Sequence, residues 1–96
     1  MAESDKSFYV VAYDISDNKR RTKVHDVLQG FGRWTQFSLF EVWVTRKQML
    51  MLQQRLARHL KPSEDSVRFY SLCNGCVGKT ETIGGDKPQD EKVFVV

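Results

Sequence analysis

One carboxylate, Asp14, follows directly on an apolar run that occupies residues 8–13. Most side chains in that run are aromatic or β-branched, which predicts a buried central strand. An unpaired carboxylate is costly to bury, so we expect Asp14 at the exit of the strand, open to solvent or to a cation. Residues 16–21 then supply a helix-capping pair followed by three cations. A carboxylate beside basic side chains at a strand-to-helix turn is typical of a site that binds phosphate through a divalent metal ion.

Arg20 and Arg21 lie near this carboxylate, within the first two turns of the predicted helix. We expect both to bind nucleic acid, and the alternative is a solvated helix face. The alternative for Asp14 is a capping or turn residue that pairs with one of these arginines. His25 should lie roughly two to three helical turns beyond the strand end, at about 1.5 Å per residue. His25 and His59 are therefore expected to be structural or solvated.

Hydrolysis of a phosphodiester needs an activated water and neutralisation of the phosphate charge. Mg²⁺ or Mn²⁺ supplies both and prefers several hard oxygen ligands. One chain offers Asp14, Asp17 and backbone carbonyls, which are few for a metal-dependent nuclease. Two chains that place Asp14 and its symmetry mate at a two-fold axis would attract a cation between two carboxylates. The predicted metal site therefore requires a homodimer.

The elements that position these residues alternate between strand and helix. In chain order we predict a strand at 8–13, a helix at 17–29, two strands within 33–44 that separate near residues 38–41, a helix from 45 to about 60, a strand at 67–72 and a terminal strand at 92–96. This order predicts an α+β fold, a ferredoxin-like βαββαβ sandwich with an extra C-terminal strand. The terminal strand needs a sheet edge, and an edge of a second copy would satisfy it.

Length and composition set the class of protein. The chain has 96 residues, a net charge of +3 and 41% hydrophobic residues, which excludes a disordered chain. We predict one domain over residues 1–96, with its core at 8–72 and a loop and strand at 73–96. No stretch approaches the roughly 20 apolar residues of a membrane span. The N-terminus lacks a signal-peptide pattern, so a cytoplasmic protein without membrane contact is expected.

The two cysteines, Cys73 and Cys76, are separated by two residues. A redox-active pair with this spacing normally begins a helix after a strand, and residues 77–80 make a poor helix start. Reduced structural thiols in a turn are therefore the favoured interpretation. A disulfide and half of a metal site are the alternatives.

Several motifs together carry a resemblance to a known family. They are Tyr-Asp-Ile at 13–15, the basic helix at 19–23, Gln-Phe-Ser-Leu-Phe-Glu at 36–41, the leucine-rich second helix and the strand at 67–72. Over residues 8–72 the chain resembles the Cas-two family of small CRISPR-associated adaptation proteins. The resemblance implies a ferredoxin-like homodimer, a metal-dependent endoribonuclease or endonuclease activity in some members, and a role in spacer acquisition beside a CRISPR adaptation integrase.

The resemblance also assigns roles to individual positions. Asp14 matches the family's metal-binding aspartate, and Tyr13 matches the tyrosine that precedes it, which makes both candidates for catalysis. The positions that it implies for nucleic-acid binding are Arg21, Lys23, Arg33 and Phe40. Many relatives read Arg-Val-Gln where this chain reads Arg-Trp-Thr-Gln at 33–36, so Arg33 is displaced by one position.

Two functions follow from these observations. The first is a metal-dependent endonuclease that cleaves RNA or DNA through paired Asp14 carboxylates. The second is a non-catalytic, dimeric scaffold that holds DNA for the partner integrase. An RNA-binding module of the RRM type is less favoured, because the aromatic signature with which such domains stack bases is absent from the sequence.

Overall fold

The computed structural model describes residues 6–84 and residue 88. Its elements are β1 (Ser7–Asp14), α1 (Asn18–Gln29), β2 (Gly32–Gln36), β3 (Leu39–Val44), α2 (Arg46–Ala57), β4 (Ser66–Leu72) and α3 (Asn74–Gly78). The four strands form one antiparallel sheet in the order β2-β3-β1-β4. The predicted ferredoxin-like α+β fold is thereby confirmed. The predicted terminal strand at 92–96 lies outside the described residues. Within the described part of the chain, no helix is long and apolar enough to cross a membrane.

The core lies between the sheet and the helices α1 and α2. Alternate residues of β1 face it, because successive side chains of a strand point to opposite sides of the sheet. Val11, Tyr13 and Ile15 are all buried there. The strand β3, the helices α1 and α2 and the residue before β2 complete the same cluster with Phe40, Val42, Val44, Val24, Leu28, Met49, Leu52, Leu56 and Phe31. The apolar side chains of the two helices recur at helical spacing and pack together on the sheet.

The other side of the sheet, which neither α1 nor α2 covers, is called the outer face below. From β1 it carries Phe8, Val10, Ala12 and Asp14, the residues that alternate with the core positions. Phe8 packs edge-on against Trp43 there, with ring centroids 5.1 Å apart. The short helix α3 contacts β1 and β4. Asp14 is therefore the last outer-face residue of the central strand.

The turn between β2 and β3 lies earlier than predicted. It occupies Phe37 and Ser38, whereas the prediction placed the break near residues 38–41. Phe37 has a φ of +47°, in the left-handed region that residues other than glycine rarely adopt. Two hydrogen bonds hold this conformation: the indole N–H of Trp34 donates to the Phe37 carbonyl at 2.8 Å, and the Tyr13 N–H donates to the Ser38 carbonyl at 3.1 Å.

The helix starts are as predicted, as is the end of α1 at Gln29, whereas α2 ends early. Asp17 caps α1, and its carboxylate accepts the Arg20 N–H at 2.9 Å. Thr45 and Gln48 form a capping box that begins α2 at the predicted position. That helix ends at Ala57 rather than near residue 60, because its last turn tightens to shorter-range hydrogen bonds. The segment after residue 74, predicted as turns, begins with the helix α3.

An ion pair fastens the start of α1 to the loop before β4. The Arg20 guanidinium binds both Asp65 carboxylate oxygens, at 2.7 and 3.1 Å, and reaches Glu64 at 3.0 Å. The Lys61 N–H donates to the same Asp65 carboxylate at 2.8 Å. The Arg20 hydrogen bonds, and then that of the Lys61 N–H, hold the pKa of Asp65 below its ordinary value.

This ion pair predicts how stability depends on pH. A carboxylate whose pKa is lower in the folded state stabilises the fold above its unfolded pKa, and that contribution is lost as the pH falls through the folded value. We expect Asp65→Asn to lower the melting temperature by several degrees at pH 7, and the difference from wild type to shrink below about pH 4. Thermal unfolding followed by circular dichroism measures both. Asp26→Asn, at an exposed carboxylate of α1, is the control, and an equal loss in both variants would contradict the prediction.

Candidate functional site

The Asp14 carboxylate is exposed at the end of β1, with Ser66 of β4 as its neighbour in register. Among the described residues it has no hydrogen-bond or ion-pair partner. Neither Arg20 nor Arg21 pairs with Asp14, as the alternative interpretation would require. Arg20 binds Asp65 and Glu64, and Arg21 donates to the Ile15 carbonyl at 2.7 Å. Asp14 is therefore available to a cation.

Within the described part of the chain, Asp14 does not belong to a larger cluster of metal-binding side chains. No group of three or more histidine, cysteine, aspartate or glutamate residues is close enough there to hold a metal ion. Asp14 offers the hard oxygens that Mg²⁺ or Mn²⁺ prefers, but a single carboxylate leaves most ligand positions to water. The predicted need for a second carboxylate from another copy of the chain is consistent with this arrangement.

Arg68 is a cation near Asp14 that the sequence analysis missed. It lies on β4 opposite Ala12, so it shares the outer face with Asp14 and stands one alternate position away along the sheet. It is exposed, and its guanidinium donates to the Tyr70 hydroxyl at 3.3 Å. If the register of β4 against β1 were known, the alternation of side chains along the strands would place Arg68 on the same face as Asp14. The sequence alone does not give that register.

Tyr13 faces away from Asp14, although the two residues are adjacent in sequence. Its side chain lies on the core side of the sheet, where its hydroxyl is 3.3 Å from Nδ1 of His25. Burial raises the pKa of the Tyr13 phenol, and the nearby charge of Arg21 opposes that rise. The structure therefore does not bring the Tyr13 hydroxyl beside the Asp14 carboxylate. The catalytic role that the resemblance implied for Tyr13 stays a prediction.

His25 contacts Tyr13, although it lies roughly two to three helical turns beyond the strand end in sequence. The helix α1 packs over the sheet, and the Tyr13 side chain reaches the imidazole from β1. The imidazole ring is half-buried and packs edge-on against Phe40 and Trp34, with centroid distances of 5.0 and 6.2 Å. A structural role for His25 is thus compatible with its contacts.

A cleft of about 400 Å³ opens beside these residues, between α1 and the β2–β3 turn. It is lined by Tyr13, Arg21, Thr22, His25, Phe37 and Ser38. The Phe37 ring, 86% exposed, stands at its rim on the left-handed turn. A nucleic-acid base can stack on an exposed aromatic ring while a cation holds the adjoining phosphate. Phe37 was missed because no glycine marks the turn that presents it.

The remaining predicted residues occupy different surroundings. Lys23 is exposed on α1, between the cleft-lining residues Thr22 and His25 in sequence. Arg33 lies on the outer face opposite Glu41, with Nη2 and Oε1 4.0 Å apart, and so is separated from the cleft by the sheet. Burial raises the pKa of Glu41, against the effect of Arg33. Phe40 is fully buried in the core, so its predicted contact with nucleic acid is wrong: the ring has no exposed surface.

The sheet order, the two helices on one side and the exposed acid at the end of β1 define a ferredoxin-like α+β protein with a candidate phosphate-binding edge. The family model described as CRISPR associated protein Cas2 matches residues 7–80. The chain therefore belongs to the Cas2 family, the family that its motifs indicated.

Relatives and solved structures agree with this assignment. A protein of Synechocystis sp. named CRISPR-associated endoribonuclease Cas2 1 is 39% identical over 92 residues, which cover 92% of this chain and 98% of the relative. The structure of Streptococcus pyogenes Cas2 has a TM-score of 0.73 at 29% identity, covering 80% and 99% of the two chains. A chain of a partial Cas6-RT-Cas1--Cas2 complex has a TM-score of 0.72 at 27% identity, covering 84% and 88%.

Proposed function

We propose that this protein is a CRISPR-associated endonuclease that hydrolyses phosphodiester bonds of RNA or DNA with Mg²⁺ or Mn²⁺ at Asp14. The observation that carries the proposal is the exposed Asp14 carboxylate, without a partner among the described residues, at the end of the central strand. The relative from Synechocystis bears the name of an endoribonuclease, which supports this reaction class. The expected location is the cytoplasm.

The proposal includes a homodimer that forms through the outer face. Val10, Ala12, Trp43 and Tyr70 give this face an apolar surface, and Tyr70 is 49% exposed. A second sheet packed there would remove this surface from water, which is the usual driving force for association. Asp14 shares the face, so such packing would bring the two carboxylates toward one another and raise their joint affinity for a cation.

The residues of the chain have separate tasks in this mechanism. A divalent ion bound by the paired Asp14 carboxylates would activate water and neutralise phosphate charge. Arg68, on the same face, is positioned to hold the phosphate that enters there. Arg21 and Lys23 bind the backbone beyond it, and Phe37 stacks a base at the rim of the cleft. Arg20 contributes mainly to the fold, because two carboxylates already occupy its guanidinium.

A second candidate function is favoured by one observation: among the described residues, no three histidine, cysteine, aspartate or glutamate side chains come together as a metal site. A protein without such a cluster can serve as a non-catalytic DNA-binding scaffold within a spacer-integration complex. The similarity to a chain of the Cas6-RT-Cas1--Cas2 complex supports an integrase partner for either function. Wild-type protein that binds duplex DNA but cleaves nothing with either ion would favour the scaffold.

The nucleic-acid interface is tested by removing its cations. We expect Arg21→Ala with Lys23→Ala to weaken binding to all sequences alike and to flatten its salt dependence by at most about two units of slope, one for each phosphate contact. Fluorescence titration of a labelled oligonucleotide at several salt concentrations measures both effects.

The matched control is Lys47→Ala at the start of α2. β3 runs antiparallel to β1 and leads into α2, so this exposed cation lies at the opposite end of the sheet from Asp14. An equal loss of affinity in the control would indicate a general effect of net charge. An unchanged salt slope in the double variant would remove Arg21 and Lys23 from the interface.

A further inference from the structure

The two cysteines, Cys73 and Cys76, have no role in the function proposed above. The two residues follow β4 and begin α3, and both side chains are exposed. Their sulfur atoms are 3.2 Å apart, and the backbone N–H of Cys76 donates to the Cys73 sulfur at 3.3 Å. The thiols are thus held in contact by the local backbone and are open to solvent.

The structure removes the reason for which a redox role was disfavoured. Residues 77–80 make a poor helix start, which argued against a helix after the first cysteine. Residues Asn74–Gly78 nevertheless form one helical turn, with Cys73 in extended conformation as its cap. This turn places the fourth residue of the motif beside the first, which brings the two sulfurs together.

The two thiols differ in acidity. The pKa of Cys73 lies below its ordinary value, because the Cys76 thiol and then the Cys76 backbone N–H donate hydrogen bonds to its sulfur. The pKa of Cys76 is raised, because its proton is held in that hydrogen bond and the negative charge of Cys73 disfavours a second thiolate. Cys73 is therefore the thiol that ionises first, and Cys76 is the thiol that follows.

We propose that Cys73 and Cys76 form a redox-active dithiol that exchanges with small-molecule disulfides of the glutathione class. The Cys73 thiolate attacks one sulfur of glutathione disulfide, which breaks that S–S bond and releases one glutathione thiolate. Cys76 then loses its proton and attacks the Cys73 sulfur, which forms the intrachain disulfide and releases the second glutathione. Two electrons pass from the protein to the small disulfide, which leaves as two thiols.

The position of the pair links its redox state to the path of the chain. The helix α3 contacts β1 and β4, and the residues after it reach the outer face, where Thr82 and Gly84 line a cavity of about 550 Å³ with Val10, Arg33 and Glu41. An intrachain disulfide fixes the turn from which this segment departs. The proposal does not depend on nuclease or scaffold function.

The test incubates the full-length protein in buffers that vary the ratio of reduced to oxidised glutathione. The reaction is stopped with acid, the remaining free thiols are alkylated, and the protein mass is measured by mass spectrometry. We expect a monomeric product lighter by two hydrogen atoms that returns to the dithiol with excess glutathione. Cys76→Ser should accumulate a stable adduct with one glutathione. Cys73→Ser should form its adduct roughly threefold or more slowly at pH 7, because the Cys73 sulfur in Cys76→Ser keeps the hydrogen bond from the backbone N–H of residue 76, which favours its thiolate, whereas the Cys76 thiol in Cys73→Ser loses its thiol partner.

Three results would overturn the proposal. They are wild-type protein that stays reduced in excess glutathione disulfide, disulfides that join two chains instead of closing one, and equal adduct rates for the two serine variants. Circular dichroism of each variant establishes that the sheet is intact before the rates are compared. Serine replaces either thiol at an exposed position, so a folding defect is not expected to interfere.

Discussion

Asp14→Asn is expected to reduce metal-dependent cleavage at least about a hundredfold, because it removes the charge that a divalent ion requires while the side-chain volume is kept. Binding of nucleic acid without metal should hold or tighten, since a negative charge beside the phosphate path is removed. Cleavage of one labelled substrate, measured with Mg²⁺ and with Mn²⁺, gives the first quantity. A binding titration in chelator on the same substrate gives the second.

The control for this variant is Asp26→Asn, which also removes one exposed carboxylate but from α1. It should leave cleavage unchanged. If Asp14→Asn lost binding and cleavage in parallel while its circular-dichroism spectrum stayed native, Asp14 would belong to the binding surface and not to a metal site. Cleavage that survived the substitution would place the activity elsewhere.

Phe40→Ala is expected to have the largest effect on stability. The ring is fully buried, packs on His25 at 5.0 Å and lies 6.3 Å from the Tyr13 ring. Deleting a buried phenylalanine typically costs about 3–5 kcal/mol, from lost transfer free energy and from the cavity that remains. Since small domains are stable by about 5–15 kcal/mol, we expect a large loss of the unfolding free energy, measured by urea denaturation.

Phe40→Leu separates a core role from a role in binding. Leucine keeps the site apolar and most of its volume, so the fold should survive with a smaller loss of stability. Nucleic-acid affinity should then equal that of wild type at a temperature where both are folded. A folded Phe40→Leu protein with much weaker binding would contradict the burial argument and restore the contact that the family resemblance implied.

The parts of the fold that the sequence predicted are those that local signals determine. The capping box at Thr45 and Gln48 forms within four residues, so its side-chain types were sufficient. The hairpin turn was misplaced because Phe37 adopts a left-handed conformation that its residue type disfavours. Its hydrogen bonds come from Trp34 and from Tyr13, and the second of these is distant in sequence. Tertiary contacts overrode the local preference there.

In the candidate site too, the features that depend on local sequence were predicted and those that depend on tertiary contacts were not. Exposure of Asp14 followed from the cost of burying a charge, an argument that needs no knowledge of neighbours. Arg20 was predicted to bind nucleic acid because its partner Asp65, 45 residues away, could not be identified from the sequence. Arg68 and Phe37 were missed for the complementary reason: strand register and turn conformation decide which face they occupy, and neither is a local property.

The opposite orientation of Tyr13 and Asp14 makes the strand intolerant of slippage. A one-residue insertion or deletion within β1 that shifted its pairing with β3 and β4 would turn the carboxylate into the apolar layer and the phenol out to water. Both consequences are unfavourable, so Tyr13 and Asp14 together favour the observed register of β1. A sequence change that preserves the packing of Tyr13 in the core therefore also keeps the Asp14 carboxylate on the outer face, so conservation of the core suffices to maintain the exposure of this acid.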